Sequence, residues 1–178
     1  MDARSLLIDI LAFGALPAWL LAGAADWWCH RRTAIEHTSG SRESALHLLL
    51  HAEIAIPLLL GLWLEINLGL LAFMTLCVIA HMITSLVDTR LAQPRRHISP
   101  IEQQIHSWLE MMPLFGLVGV TLVHLEALSA AQWLPRLREQ PLPLHWRVLV
   151  PLALAAGFAF IIEEYARGRR AQRNYGAA

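Results

Sequence analysis

Cysteine is scarce. Only Cys29 and Cys77 occur in 178 residues, far apart and without C-x-x-C spacing, which argues against a disulfide framework, a thiolate zinc site and a cysteine-ligated iron–sulfur cluster. Lysine is absent: all 14 basic residues are arginines, and 14 acidic residues bring the formal net charge to zero. No basic excess marks a nucleic-acid surface, and no nucleic-acid partner is expected. Internal repeats and low-complexity tracts are missing. The N-terminus M-D-A-R-S-L-L-I-D-I has no basic n-region and no convincing cleavage site, so its apolar run is expected to be a retained first helix.

What the chain has instead is apolar mass: 56% hydrophobic residues, seven Trp and a mean hydropathy of +0.47. That is too apolar for a polar-coated soluble domain of this size, and the apolar residues fall into windows of spanning length. The expected fold is an all-α integral membrane protein, a single transmembrane helical domain over residues 1–178. Its five spans run roughly from Leu6 to His30, Ser44 to Ile66, Leu68 to Leu91, Pro100 to Leu128 and Trp146 to Tyr165. The turn E-I-N-L-G is so short that the third span must return antiparallel beside the second. A proline-rich stretch before the last span reads as a loop, and the arginine-rich tail after Tyr165 is expected to fray.

Arginine placement sets the topology. Arg31, Arg32 and Arg42 lie between spans one and two, Arg90, Arg95 and Arg96 between spans three and four, and four more in the tail. The positive-inside rule puts these segments and the C-terminus in the cytoplasm of a multi-pass protein in a bacterial-type inner or other cell membrane.

The stretch S-P-I-E-Q-Q-I-H-S-W-L-E-M-M-P, residues 99–113, carries the sharpest local signal. Ser99 can cap a helix that starts at Pro100 and has Glu102 at its third position. Glu102, His106 and Glu110 then follow at four-residue steps along one side, where the sequence becomes apolar. Ionisable groups at that depth either line a shared polar site or are costly. The other spans supply partners at the same end: Asp26 and His30 close the first, His47 and His51 open the second, and His81 and Asp88 lie near the end of the third. Spans one to four, running alternately up and down as an antiparallel bundle, would thus bring a polar His/carboxylate layer together.

Imidazoles and carboxylates in such a layer suit first-row transition metals, and helical bundles build dinuclear sites from these groups. Asp26, His30, His47, His51, His81, Asp88, Glu102 and His106 are the expected ligands of two ions, iron with zinc or manganese as alternatives. Glu102 and Glu110 are the candidate catalytic carboxylates. Glu102 could instead only close the capping box, and Asp88 could pair with Arg90 or Arg95. His124 and His145 fall toward the opposite side.

The H-x-x-x-H pair of His47 and His51, with further histidines at the same end of other spans, resembles the integral-membrane di-iron fatty acid desaturase and hydroxylase superfamily. The resemblance covers roughly Asp26 to Glu110; no H-x-x-H-H box is present, and acidic residues stand where histidines would be. It implies oxygen-dependent oxidation of a lipid or other hydrophobic substrate, with an electron donor as a further partner. A metal-dependent lipid hydrolase, a metal or ion transporter and a haem electron carrier are the alternatives the residues leave open.

Overall fold

The computed structural model describes residues 2–175. Five helices among them are long and apolar enough to cross a membrane: Ala3–Thr33, Ser41–Trp63, Leu68–Ala92, Pro100–Val123 and Leu144–Asn174. Their outer faces confirm the solvent they are built for. Phe13, Leu21, Ile101 and Leu152 are each more than 60% exposed, and such side chains surround the bundle, a surface that suits lipid and not water.

The first span is built in two pieces, α1 (Ala3–Asp9) and α2 (Leu16–Thr33), joined without a break by a π-helical stretch over Ile10–Ala15. Asp2 caps α1 by accepting from the Ser5 N–H at 2.7 Å. Pro17 explains the widened turn: it offers no N–H to the carbonyl four residues back, and its ring crowds that carbonyl. The span ends at Ala34 in the left-handed conformation (φ 50°), and a short 3-10 turn leads to Gly40 (φ 64°). At Gly40 any side chain would be strained, so glycine is required for the entry into α3 (Ser41–Trp63).

α3 turns into α4 (Leu68–Ala92) through the short connection expected, where the Asn67 side chain accepts from the Leu70 N–H at 3.0 Å. α5 (Pro100–Val123) begins as its sequence dictates: Ser99 accepts from the Glu102 N–H and Pro100 occupies the first turn. A short α6 (Glu126–Ala130) follows. The proline-rich stretch after it is an extended strap over the α3–α4 turn. Glu65 N–H donates to Arg136 O at 2.9 Å, Arg138 N–H to Trp63 O at 3.0 Å, and the Arg138 guanidinium to Gly61 O at 2.8 Å. The strap thereby satisfies carbonyls left open where α3 ends.

α7 (Leu144–Tyr175) runs ten residues past the end that the sequence suggests. Apolar periodicity stops near Tyr165, but the helix continues because its polar end has partners on the α2–α3 connection. Arg167 pairs with Glu36, and Ser41 Oγ donates to Gln172 Oε1 at 2.8 Å. Gly168 lets the two backbones meet, since a Cβ there would lie 2.8 Å from Ser41 N. α7 packs against α3 and α2, α3 against α4, and α5 against α2 and α4. The antiparallel arrangement of the first four spans is as expected, and the fifth closes it. Trp19, Ile54, Ala55, Leu62, Val78, Val150 and Leu154 form the main apolar core.

A candidate metal centre at one end of the bundle

Three helices present the same local pattern, an acidic residue followed four positions later by histidine: Asp26 and His30 on α2, Glu43 and His47 on α3, Glu102 and His106 on α5. A four-residue step stacks both side chains on one face, so each helix delivers a carboxylate and an imidazole together. Alternating helix directions put all three pairs at one end, where Asp88 of α4 and Glu164 of α7 join them. Asp26, His30, Glu43, His47, Asp88, Glu102 and Glu164 are all buried.

Glu164 organises the centre. His30 Nδ1–H donates to its Oε2 at 2.9 Å and His47 Nδ1–H to its Oε1 at 2.8 Å. The two rings stack nearly parallel, 4.7 Å between centroids and 8° between planes. Since a carboxylate only accepts, each ring carries its proton on Nδ1 toward Glu164, which leaves Nε2 facing the other way. His30 Nε2 then lies 3.3 Å from Glu102 Oε1, 3.5 Å from Asp26 Oδ1 and 3.8 Å from Glu43 Oε1. His47 Nε2 lies 3.5 Å from Asp88 Oδ2 and 4.0 Å from Glu43 Oε1. Neither Nε2 has a hydrogen-bond partner, and the same holds for Glu102 Oε2, Asp26 Oδ1 and Asp88 Oδ1. His106 Nε2 approaches Asp26 Oδ1 at 2.9 Å without hydrogen-bond alignment.

Lone pairs thus face lone pairs in a buried space, an arrangement that calls for a cation or for extra protons. Two sets have donor atoms all within 4.8 Å of one another: Asp26, His30, Glu102 and His106, and His30, Glu43 and His47. They share His30, so the two sets are neighbours. The cluster can coordinate metal ions at two adjacent places.

One permanent cation is built in. Arg96, from the connection between α4 and α5, reaches Glu43 and Glu102 at 2.5 Å each and holds both carboxylates in place. Burial alone would push the Arg96 guanidinium down, but the two carboxylates outweigh that and hold it above the usual arginine range. It offsets only part of the charge. Asp26, Glu43, Asp88, Glu102 and Glu164 against Arg96 leave four negative charges uncompensated while the imidazoles are neutral. Two divalent cations supply that compensation, as would a combination of fewer ions with protonated imidazoles.

Of the expected site residues, Asp26, His30, His47, Asp88, Glu102 and His106 meet here. Asp88 stands beside His47 outside both donor sets, and His51 and His81 lie outside them as well. His51 Nε2–H donates to Leu154 O at 3.0 Å and its ring stacks on Trp19, while His81 contacts the Leu50 and Leu109 carbonyls at 3.2 and 3.4 Å. Both instead line a cavity of about 340 Å³ that opens off the cluster, as do Glu110, Trp19 and Phe160. Glu102 does more than cap its helix: its backbone takes the Ser99 cap while its side chain is buried against Arg96 and His30. Asp88 faces His47 instead of an arginine. Glu43 and Glu164 are the cluster residues that sequence reasoning missed, and Arg96, read there as a topology-setting arginine, is buried against Glu43 and Glu102. For Glu43 a signal existed, the third copy of the acid-x-x-x-His step, hidden by pairing His47 with His51.

The chain shares with the histidine-box desaturases a membrane setting and clustered groups able to hold metal, but its cluster is richer in carboxylates than in histidines. No family model, curated protein or solved structure matches the chain, so its chemistry rests on this geometry.

Proposed function

We propose that this protein is a membrane-embedded di-iron oxidoreductase acting on a lipid or other hydrophobic molecule. The observation that carries the reading is the set of unpartnered, buried His30 and His47 Nε2 and carboxylate oxygen atoms, with four negative charges left after Arg96. One ion would be held by Asp26, His30, Glu102 and His106; the other would sit beside Glu43 and His47, with Asp88 3.5 Å from His47 Nε2. Mixed imidazole and carboxylate donors suit iron, and accept manganese and zinc. Glu164, donating nothing and accepting from both Nδ1–H groups, fixes ring orientation and basicity as acceptors behind metal-bound histidines do.

When bound, a reducible iron pair would supply dioxygen activation. The chain's own residues supply the rest. The cavity would hold an apolar molecule against the cluster with Phe160 and Trp19 keeping water out, and Glu110, half-buried on its wall and outside both donor sets, would exchange a proton with it. Oxidation of a C–H bond by dioxygen takes two electrons from the substrate and two from outside, so an electron donor is a required partner.

The test is metal analysis of the protein purified into lipid nanodiscs, followed by oxygen uptake and product mass spectrometry on the iron-loaded, chemically reduced protein. Two irons per chain and an oxygen-dependent lipid product are expected. Product formed without oxygen, or with zinc alone, moves the assignment to hydrolysis with Glu110 as base. Tight metal binding without any product moves it to metal handling.

A further inference from the structure

The cavity that opens off the cluster carries the carboxylates Asp26, Asp88 and Glu164 toward one end, with Glu110 on its wall; toward the other it carries the His51 ring and the Trp19 indole, whose N–H has no hydrogen-bond partner. His30 and His47, both more than 90% buried, border it with Nε2 atoms that have no hydrogen-bond partner, and Asp26 and Glu164 stand beside them. His30 lies near the end of α2 and His47 in the second turn of α3. The remaining wall runs inward. Trp19 precedes Asp26 by seven residues and Ala153 precedes Glu164 by eleven, so at the helical rise the cavity reaches roughly 10 to 16 Å from the cluster toward the middle of the spans. Gly23 on α2 and Ala156 on α7 are small residues that line that passage, and Gly157 makes room for the His51 ring, which an added Cβ would meet at 2.5 Å.

Trp19 closes the inner end. It is 7% exposed, and its indole stacks on the His51 ring at 5.4 Å and 16°. On its other side lies a second void of about 140 Å³, lined by Leu11, Leu16, Met112 and Gly116 among others and bordered by Trp19 as well. One aromatic ring therefore separates two apolar spaces.

We infer that the cavity takes a single-chain amphiphile with its polar end at the His/carboxylate cluster and its alkyl tail pointing to the membrane midplane, and that Trp19 is the stop that sets the longest tail accepted. This deepens the proposed function and rests on the cluster being the reacting end. A cavity of this size sits at the low end of small-molecule sites and holds one chain, not a two-tailed lipid. Charge fixes the orientation: the buried carboxylates and imidazoles of the cluster face a charged or metal-facing head, while the stretch toward Trp19 offers the tail Leu20, Leu50, Ala153 and Ala156. The bond presented to the cluster is then one near the head group of the amphiphile, not one in mid-chain.

The experiment uses the full chain in nanodiscs with a series of n-alkyl alcohols of increasing length that carry a photoreactive diazirine at the tail end. Cross-linked peptides are read by mass spectrometry, and metal content is measured on the same samples. In the wild type, labelling falls on α2 and α7 around Trp19 and Ala153, and drops roughly tenfold or more per methylene beyond a length limit, the discrimination a closed apolar pocket achieves. Trp19→Ala moves the limit to longer tails and carries the label onto Met112 and Leu16. Adding Gly116→Leu, which fills the second void where an added Cβ meets nothing, moves it back. Trp19→Phe gives a smaller shift and serves if the alanine variant does not fold. A limit unchanged in both Trp19 variants, no limit at all, or tail labels at the cluster overturns the inference. Normal metal content beside such a result leaves the metal reading standing, whereas correct labelling on a chain that binds no metal sinks the metal reading alone.

Discussion

Glu164 is a single carboxylate that does two jobs: each of its oxygens takes the Nδ1–H of a different histidine. Glu164→Gln keeps the shape but replaces one accepting oxygen with a donating amide, so one ring must turn over or lose its partner. Metal affinity is expected to fall roughly 10–100-fold, the usual effect of removing an acceptor behind a ligating histidine. The neighbouring Glu163→Gln is the control. It removes a surface partner of Trp27 and Arg31 and should leave the titration unchanged. Isothermal titration with zinc reads both variants, and equal affinities would mean that Glu164 does not orient ligands. At this scale much of the site is legible in the sequence, because a four-residue step between acid and imidazole is a local property; Asp26 with His30 and Glu102 with His106 need no tertiary information. Glu164 is not legible. It stands in I-I-E-E-Y, next to a second glutamate that faces outward, and only the rotation of α7 against α3 decides which of the two turns inward.

At the scale of elements, helix existence follows from the sequence and helix ends do not always. Ser99 and Pro100 mark a start that the fold keeps, since a cap and its helix are neighbours in the chain. The end of α7 is set by contacts remote in sequence, Arg167 with Glu36 and Gln172 with Ser41, so hydropathy stops ten residues too early. The strap after α6 is invisible for the same reason: its hydrogen bonds go to the α3–α4 turn and not to its own neighbours. Gly168 tests the long α7. A Cβ there meets Ser41 N at 2.8 Å and Ser41 Cα at 3.1 Å, backbone atoms at a helix start that cannot swing aside. Gly168→Ala is expected to cost about 1–3 kcal/mol and to speed hydrogen exchange across residues 168–174. Gly23→Ala, where an added Cβ meets nothing, should leave both the melting temperature and exchange unchanged. Identical exchange in the two variants would show that the tail is not seated on Ser41.

For the whole molecule, the arginines and the buried cluster occupy the same end. Arg31 and Arg32 end α2, Arg42 opens α3, Arg95 and Arg96 sit on the α4–α5 connection, and Arg167 and Arg169 lie on the end of α7 beyond Glu164. By the positive-inside rule this end is expected to face the cytoplasm. A C-terminal reporter that is active only inside the cell checks it, and activity on the outer side reverses the orientation and the leaflet from which a lipid would enter. The number of helices and their alternation could be read from hydropathy because lipid imposes those on any chain. The way five of them rotate about their axes is a packing outcome, which is why two of the expected histidines ended beside the cavity and not in the cluster. The position of Glu164 on the last span also sets an order of events during biosynthesis. A chain leaving the ribosome threads Asp26, Glu43, Asp88 and Glu102 first, and the acceptor that aligns His30 and His47 arrives only when α7 emerges. Any metal that needs both histidines aligned would then enter at a late step of translation, after α7 has emerged.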